Sequence, residues 1–191
     1  MDREEVLRAV NREQLRENLE QDFHATIDER LSRYQELDFI KITPNAHFAS
    51  VSAECILLYR DGYFLACIAL GQAVAEAIVR LMCKRSKFTS VSDDYEANVE
   101  RPRNREIKPD CSQLFKEIWA GRHDYHHLKP RTPTERSKLQ EIAKNKITTL
   151  HKIESTVFEF TTKKGTISPK YPKYWDISKD GLLEAFLRFE P

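Results

Sequence analysis

Apolar residues recur every three or four positions along most of the chain, and this spacing predicts amphipathic α-helices. The predicted helices cover residues 2–34, 46–59, 63–85, 111–119 and 133–160. Asp110 is a suitable N-cap for the fourth of them, and residues 132–135 form a capping box with proline at the first helical position. No strand-like alternation is evident. The pattern therefore predicts an all-α, up-and-down bundle of about five helices.

Two segments lack this periodicity. Residues 84–110 are polar and contain two prolines, which predicts a long mobile loop with a short helix around Tyr95. Residues 163–191 contain glycines and prolines, and they are predicted to form a C-terminal arm with a short helix over residues 182–189. The expected organisation is a helical domain over residues 1–162 followed by this arm.

The charge of the chain is unevenly distributed. The 191 residues carry a formal net charge of +1 and suit one domain with a sizeable core. Residues 1–38 hold 6 Lys/Arg and 11 Asp/Glu, whereas residues 163–179 hold five lysines and one aspartate. A basic second half permits a polyanionic partner such as RNA, although solvated charged faces are the usual case.

The cysteines and the N-terminus favour a cytoplasmic protein. The cysteines are Cys55, Cys67, Cys83 and Cys111. They form no C-x-x-C pair and lie on predicted apolar faces, which is typical of reduced thiols in a core. The first 20 residues are mostly charged and polar, unlike a signal peptide. We therefore expect reduced thiols and a cytoplasmic location.

The most apolar segment, residues 63–83, resembles a membrane span in length only. It carries Gln72, Glu76 and Arg80 at a spacing of four, so these side chains share one stripe of a helix. A spanning helix would bury two charges there, at roughly 2.5–3.5 kcal/mol each. The segment is better interpreted as the central helix of a soluble bundle, without a membrane partner.

The stretch Trp119-Ala120-Gly121-Arg122-His123-Asp124-Tyr125-His126-His127 concentrates the chemistry of the chain. A guanidinium holds phosphate oxygens and stays charged, and an imidazole gives or takes a proton near neutral pH. Together these groups can cleave RNA without a metal or another cofactor. One imidazole takes the proton of the attacking 2′-hydroxyl, another protonates the leaving oxygen, and Arg122 stabilises the charge that builds on phosphorus.

Two other interpretations of this stretch are open. Its histidines and its aspartate are metal-ligand types, and Glu76 or His47 could add a further ligand. No known metalloenzyme spacing is evident, however, and an adjacent arginine would oppose a cation. Alternatively, the same side chains are simply solvated at a helix end, where the helix dipole favours cations.

Residues 122–127 fit the Arg-x(4–6)-His signature of the HEPN superfamily, which the chain resembles. Arg122 and His127 match its fixed positions, and His123 is the polar residue that follows the arginine. Residues 62–76 are similar to the family's second helix, which is rich in small residues and contains an acidic one. The resemblance covers roughly residues 46–160.

This resemblance implies a metal-independent endoribonuclease that leaves 2′,3′-cyclic phosphates. It also implies a homodimer formed through the faces that carry the motif, in toxin–antitoxin or antiviral defence, with an antitoxin or defence-system partner. Some members of the family are instead non-catalytic and bind a nucleotide or a partner protein, which is the alternative function. By the resemblance, Arg122 and His127 would be catalytic and His123 would support them. From the residues themselves, His126 is the second candidate for the catalytic histidine, and Asp124 and Glu76 are further candidates for a supporting role.

The residues themselves leave the catalytic histidine open. On an unbroken helix Arg122 shares a face with His126, while His127 is displaced by roughly 140°. A helix that ends at Gly121 would remove this objection to His127. Glu76 could orient Arg122 or an imidazole, although a pairing with Arg80 on its own helix is the commoner arrangement.

Weaker candidates for RNA contacts lie beyond the motif. They are Lys129, Arg131, Lys170, Lys173 and Tyr174. The last three belong to a stretch in which lysines alternate with aromatic residues, as in single-strand binding proteins. The commoner interpretation is that the aromatic residues of the arm pack onto the bundle.

Overall fold

The structure is a computed structural model that describes residues 2–86, 91–104, 107–163 and 165–188. The chain divides into two compact units, Met1–Glu36 and Leu37–Pro191. The helices are α1 (Arg3–Gln35), α2 (Ala49–Arg60), α3 (Phe64–Arg85), α4 (Tyr95–Asn104), α5 (Ser112–Trp119), α6 (Arg122–His126) and α7 (Arg136–Val157). The strands are β1 (Ile42–Pro44), β2 (Phe160–Lys163), β3 (Thr166–Pro169), β4 (Asp176–Ile177) and β5 (Leu183–Leu187).

The first unit is the long helix α1, which confirms the helix predicted over residues 2–34. Ion pairs such as Arg8–Glu4 join side chains one turn apart along it. Its exposed apolar side chains are Val6, Leu7, Val10, Leu15, Leu19, Phe23 and Leu31. From Leu15 to Leu31 the apolar positions recur every fourth residue, so they advance by about 40° per step. The stripe therefore winds around the helix instead of forming one straight face.

The core of the second unit surrounds α3, which packs against α2, α4, α5 and α7. Among the described helices, α3 is long and apolar enough to cross a bilayer, but half of its most apolar window is buried within the fold. This placement is consistent with the core helix of a soluble protein. The cysteines are buried, as predicted. Burial raises the pKa of the Cys67 thiol to about 12, which keeps it protonated.

The all-α prediction is wrong, because the described residues also form two small antiparallel sheets. β5 lies between β1 and β4, with Phe186 opposite Thr43 and Glu184 opposite Asp176. β2 and β3 form a hairpin through the turn at Gly165. The helix expected over residues 182–189 is thus strand β5 where the structure describes it. The C-terminal segment is part of the fold and not an added arm, since β5 pairs with a strand that precedes α2.

Two connections also differ from the prediction. The expected loop over residues 84–110 contains α4, which confirms a helix around Tyr95 but makes the loop shorter; residues 87–90 and 105–106 lie outside the described residues. α7 begins at Arg136 with Glu135 as N-cap, so the capping box predicted at residues 132–135 does not start the helix.

Candidate functional site

The motif begins where Gly121 ends helix α5. Gly121 has a φ of 76°, a left-handed conformation that glycine adopts without steric cost, and Arg122 then starts the short helix α6. The end of α5 is held by Lys146 of α7, whose Nζ donates hydrogen bonds to the carbonyls of Glu117 (2.6 Å) and Ala120 (2.8 Å). The backbone therefore changes direction at Gly121, directly before the arginine, and Lys146 stabilises the helix end that precedes this change.

The helical turn α6 places four side chains of the motif in two pairs. Arg122 and His126 are four residues apart within α6 and share one face of it. His123 and His127, the C-cap residue, form the second pair, with ring centroids 5.8 Å apart and planes at 12°. Helix α5 does end before Gly121, but a new helical turn begins at Arg122. The argument for His126 therefore stands beside the signature's preference for His127.

Arg122 is held by a stack of aromatic rings that the sequence did not reveal. Its guanidinium carbon lies 4.5 Å from the centroid of the Trp119 ring. Trp119 is also stacked on Tyr95 of α4, with centroids 3.6 Å apart and planes at 8°. The Tyr95 hydroxyl donates a hydrogen bond to the carbonyl of Phe115 (2.9 Å), which ties α4 to α5. Arg122 is therefore positioned by two helices.

His126 is the histidine of the motif whose pKa is lowered by its surroundings. Partial burial lowers its pKa first, and the positive charges of Arg122 and His127 lower it further. Glu76 of α3 acts in the opposite direction. A lowered pKa keeps this imidazole neutral near pH 7, and a neutral imidazole can accept a proton. His126 and His127 are both exposed to solvent.

Glu76 and Gln72 have mainly structural contacts. Glu76 Oε1 accepts hydrogen bonds from Arg80 Nε (3.2 Å) and Nη2 (2.9 Å), which confirms the pairing along the helix. Gln72 is buried and donates to the carbonyl of Ile118 (2.9 Å), so it joins α3 to α5 instead of reaching the motif. The observed link between Glu76 and the motif is electrostatic: its negative charge raises the pKa of His126.

Asp124 shapes the turn that follows the motif. Its Oδ1 accepts a hydrogen bond from Arg131 Nε (2.6 Å), and its carbonyl accepts from the Thr132 hydroxyl (2.7 Å) and the Lys129 amide (3.1 Å). Leu128 has a φ of 46° within this turn. Lys129 and Arg131 are exposed, and Arg131 is paired with Asp124.

A cleft of about 530 Å³ opens beside Arg122, between α4, α5 and the motif. The lining residues are Tyr95, Glu96, Val99, Glu100, Lys116, Trp119, Ala120, Gly121, Arg122, His123, Asp124 and Arg131. Of the predicted site residues, Arg122, His123, Asp124 and Arg131 meet there. His126 and His127 do not line the cleft. Arg122 thus connects the cleft with the imidazole of His126.

The RNA-binding candidates of the C-terminal segment are not gathered at this site. Lys170 is paired with Glu159 (2.8 Å), and Lys173 Nζ donates to the Ser86 hydroxyl (3.2 Å). Tyr174 is 1% exposed and donates to the carbonyl of Lys108 (2.8 Å). Its ring is therefore buried and cannot stack on a base, which corrects that assignment. Tyr174 and Trp175 are buried against the fold, as the interpretation of aromatic residues packing onto the bundle expects.

The metal-site interpretation gains no support from the geometry. Among the described residues, no three His, Cys, Asp or Glu side chains are grouped as ligands of one metal ion. The histidines of the motif are split into pairs with other partners, and Asp124 is engaged with Arg131. The arrangement offers instead a fixed guanidinium beside a neutral imidazole.

Replacing Gly121 by alanine is expected to lower the free energy of unfolding by about 1–2 kcal/mol, because a side chain is strained at this φ. A Cβ atom would also lie 3.0 Å from Tyr125 Cε2, which adds to the loss. Urea denaturation would measure it. Gly181→Ala is the matched control, since Gly181 has a φ of 77° and no described atom within 4 Å of the new Cβ. Equal losses in the two variants would show that the contact with Tyr125 is unimportant.

Comparison with known proteins assigns the chain to no group. The chain was compared with protein-family models, with characterised proteins and with solved structures, and no match was found to any of them.

Proposed function

We propose that the chain is a metal-independent endoribonuclease whose active site contains Arg122, His126 and His127. One observation carries the proposal: the guanidinium of Arg122, fixed on Trp119, shares a helical turn with an imidazole whose pKa is lowered. A fixed cation for phosphate and a neutral base next to it are the groups that RNA cleavage by the 2′-hydroxyl requires. The Arg-x(4–6)-His signature supports the same assignment.

In this mechanism His126 accepts the proton of the 2′-hydroxyl as its oxygen attacks the adjacent phosphorus. The bond from phosphorus to the 5′-oxygen breaks, and His127 gives that oxygen a proton. The products are a 2′,3′-cyclic phosphate and a free 5′-hydroxyl. Arg122 donates hydrogen bonds to the non-bridging oxygens, where negative charge accumulates in the transition state. The stacked face of the guanidinium leaves its N–H groups in the plane, so its edge can bind these oxygens.

A second copy of the chain completes the site in this proposal. The attacking and leaving oxygens lie on opposite sides of phosphorus, whereas His126 and His127 follow each other in one chain. Two motifs facing each other in a homodimer would place imidazoles on both sides of the phosphate. Such an enzyme would act on RNA in the cytoplasm, and an antitoxin or defence-system partner would control it, as the family resemblance implies.

The test is cleavage of an end-labelled RNA pool in the presence of EDTA. Arg122→Ala and His126→Asn are expected to reduce the rate by about 100-fold each, as the loss of a transition-state donor or a general base does. The products of the wild type should carry 2′,3′-cyclic phosphates. His127→Asn is measured in parallel, to test whether it is the acid.

Two control variants test whether a loss of cleavage is specific to the arginine and the histidines of the motif. Arg136 is also an arginine stacked on an aromatic ring, 5.1 Å from the centroid of Phe64, and it lies outside the motif. His24 is an exposed histidine of α1. Arg136→Ala and His24→Asn should both cleave RNA like the wild type. Equal background cleavage by the wild type and by Arg122→Ala would reject the proposal and favour the non-catalytic binding module.

A further inference from the structure

The cleft beside Arg122 has an apolar floor and a charged rim. Val99 and Tyr95 of α4 are 1% and 4% exposed, and Trp119 of α5 completes this floor. Its volume of about 530 Å³ leaves room for a planar ring system with its sugar. The predicted catalytic imidazoles do not line it, so the cleft is a separate part of the site.

Arg122 lies where this cleft meets the place proposed for the phosphate. One face of its guanidinium is occupied by Trp119, at 4.5 Å. The opposite face of a stacked guanidinium can pack against a nucleobase, because bases stack on arginine planes as they do on aromatic rings. The same side chain can then hold a phosphate by its edge and a neighbouring base by its face.

The charged side chains of the cleft fit the edge of one base in particular. Lys116 forms an ion pair with Glu100, and Glu96 lies exposed one turn earlier on α4. Guanine presents the acceptor O6 beside two donors, N1–H and N2–H. A lysine ammonium donates to such an acceptor, and a carboxylate accepts from two adjacent donors. Adenine and cytosine each offer a single donor group on this edge, and uracil offers one donor between two acceptors.

We propose that this cleft is a guanine-binding subsite, in which Glu96 accepts hydrogen bonds from N1–H and N2–H while the base packs against Arg122. The proposal rests on the proposed ribonuclease function, since it places this base next to the phosphate that Arg122 holds. It makes the enzyme selective for RNA that carries guanine beside the cleaved bond.

The test is binding of guanosine 3′-monophosphate and of the three other nucleoside 3′-monophosphates, measured by calorimetry. The guanine nucleotide is expected to bind about tenfold more tightly than the adenine nucleotide, as one bidentate contact provides. Glu96→Gln should remove most of this preference. Glu117→Gln is the matched control, because Glu117 is also exposed, lies one residue after Lys116 and lines a different cavity.

The outcomes distinguish a failure of the guanine subsite from a failure of the proposed ribonuclease function. Equal affinity for all four nucleotides, with RNA cleavage that depends on Arg122, would overturn the subsite and leave the nuclease. An equal effect of Glu96→Gln and Glu117→Gln would also overturn it, since charge alone would then explain the change. Selective guanine binding without RNA cleavage would support the subsite and reject the nuclease, leaving a nucleotide-binding module.

Discussion

Replacing Arg188 by methionine is expected to lower the free energy of unfolding by about 3–5 kcal/mol, because it leaves a buried carboxylate without its counter-ion. Arg188 follows β5, and its Nη2 donates to Glu154 Oε1 (2.6 Å) and to the Ser52 hydroxyl (2.8 Å). The side chains of Arg188 and Glu154 are 1% and 0% exposed. The Nη1 group of Arg188 also donates to the carbonyl of Ile40 (3.2 Å). One guanidinium therefore joins the C-terminal segment to α2, α7 and the segment before β1.

Urea denaturation followed by circular dichroism would measure this loss. The double variant Glu154→Leu/Arg188→Met should recover most of the stability, since apolar side chains can replace a buried ion pair at little cost. Lys170→Met is the control, because it breaks the exposed pair with Glu159 and should shift the midpoint far less. If Arg188→Met were no more destabilised than this control, the buried pair would not hold the C-terminal segment in place.

This network also explains why the end of the chain could not be predicted. Leu183, Glu184 and Ala185 are good helix formers, and their local preference predicted a helix. Their strand conformation depends on β1 and β4, which lie on either side of β5, and on Glu154, 34 residues away from Arg188. Such pairings between distant segments leave no periodic signal in a five-residue strand. Tertiary contacts therefore override the local preference here.

The helices were predictable because their signals are local. The long apolar repeats of α1, α3 and α7 gave correct elements, with errors of a few residues where N-caps compete. Glu135, not Thr132, caps α7, so a good capping box did not decide the boundary. The Glu76–Arg80 pair was also predictable, since a spacing of four fixes such contacts within one helix.

The sequence predicted only those site residues that follow each other along the chain. Arg122 and the three histidines are brought together by a single turn, so their proximity follows from their numbers alone. Tyr95 was not identifiable as a site residue, because it lies on a different helix, 24 residues before Trp119, and their contact depends on how α4 packs against α5. The one available signal was Trp119 itself, a large aromatic residue three positions before the arginine. Such spacing is compatible with stacking but does not require it.

Acid is expected to destabilise this protein through His151, by about 3 kcal/mol between pH 6.5 and pH 4. His151 lies on α7, is 4% exposed and packs against Phe39, with ring centroids 5.6 Å apart. Its pKa is lowered to about 4, chiefly by burial; Glu154 and Asp38 oppose this shift, and the positive charge of Arg188 adds to it. Below pH 6.5 the unfolded chain binds a proton at this histidine that the folded chain does not. The free energy of unfolding must therefore fall as the pH falls through this range.

Urea denaturation at intervals between pH 7.5 and pH 4.5 would test this dependence. His151→Leu removes the titrating group and keeps the site apolar, so its stability should fall much less steeply than that of the wild type over the same range. The carboxylates that titrate in acid are common to both proteins, and the difference between the two curves isolates the histidine. His47→Leu is the control for the substitution itself, because it replaces an exposed histidine of the same unit by leucine. Parallel curves for the wild type and His151→Leu would mean that the buried imidazole is not the group that makes the fold sensitive to acid.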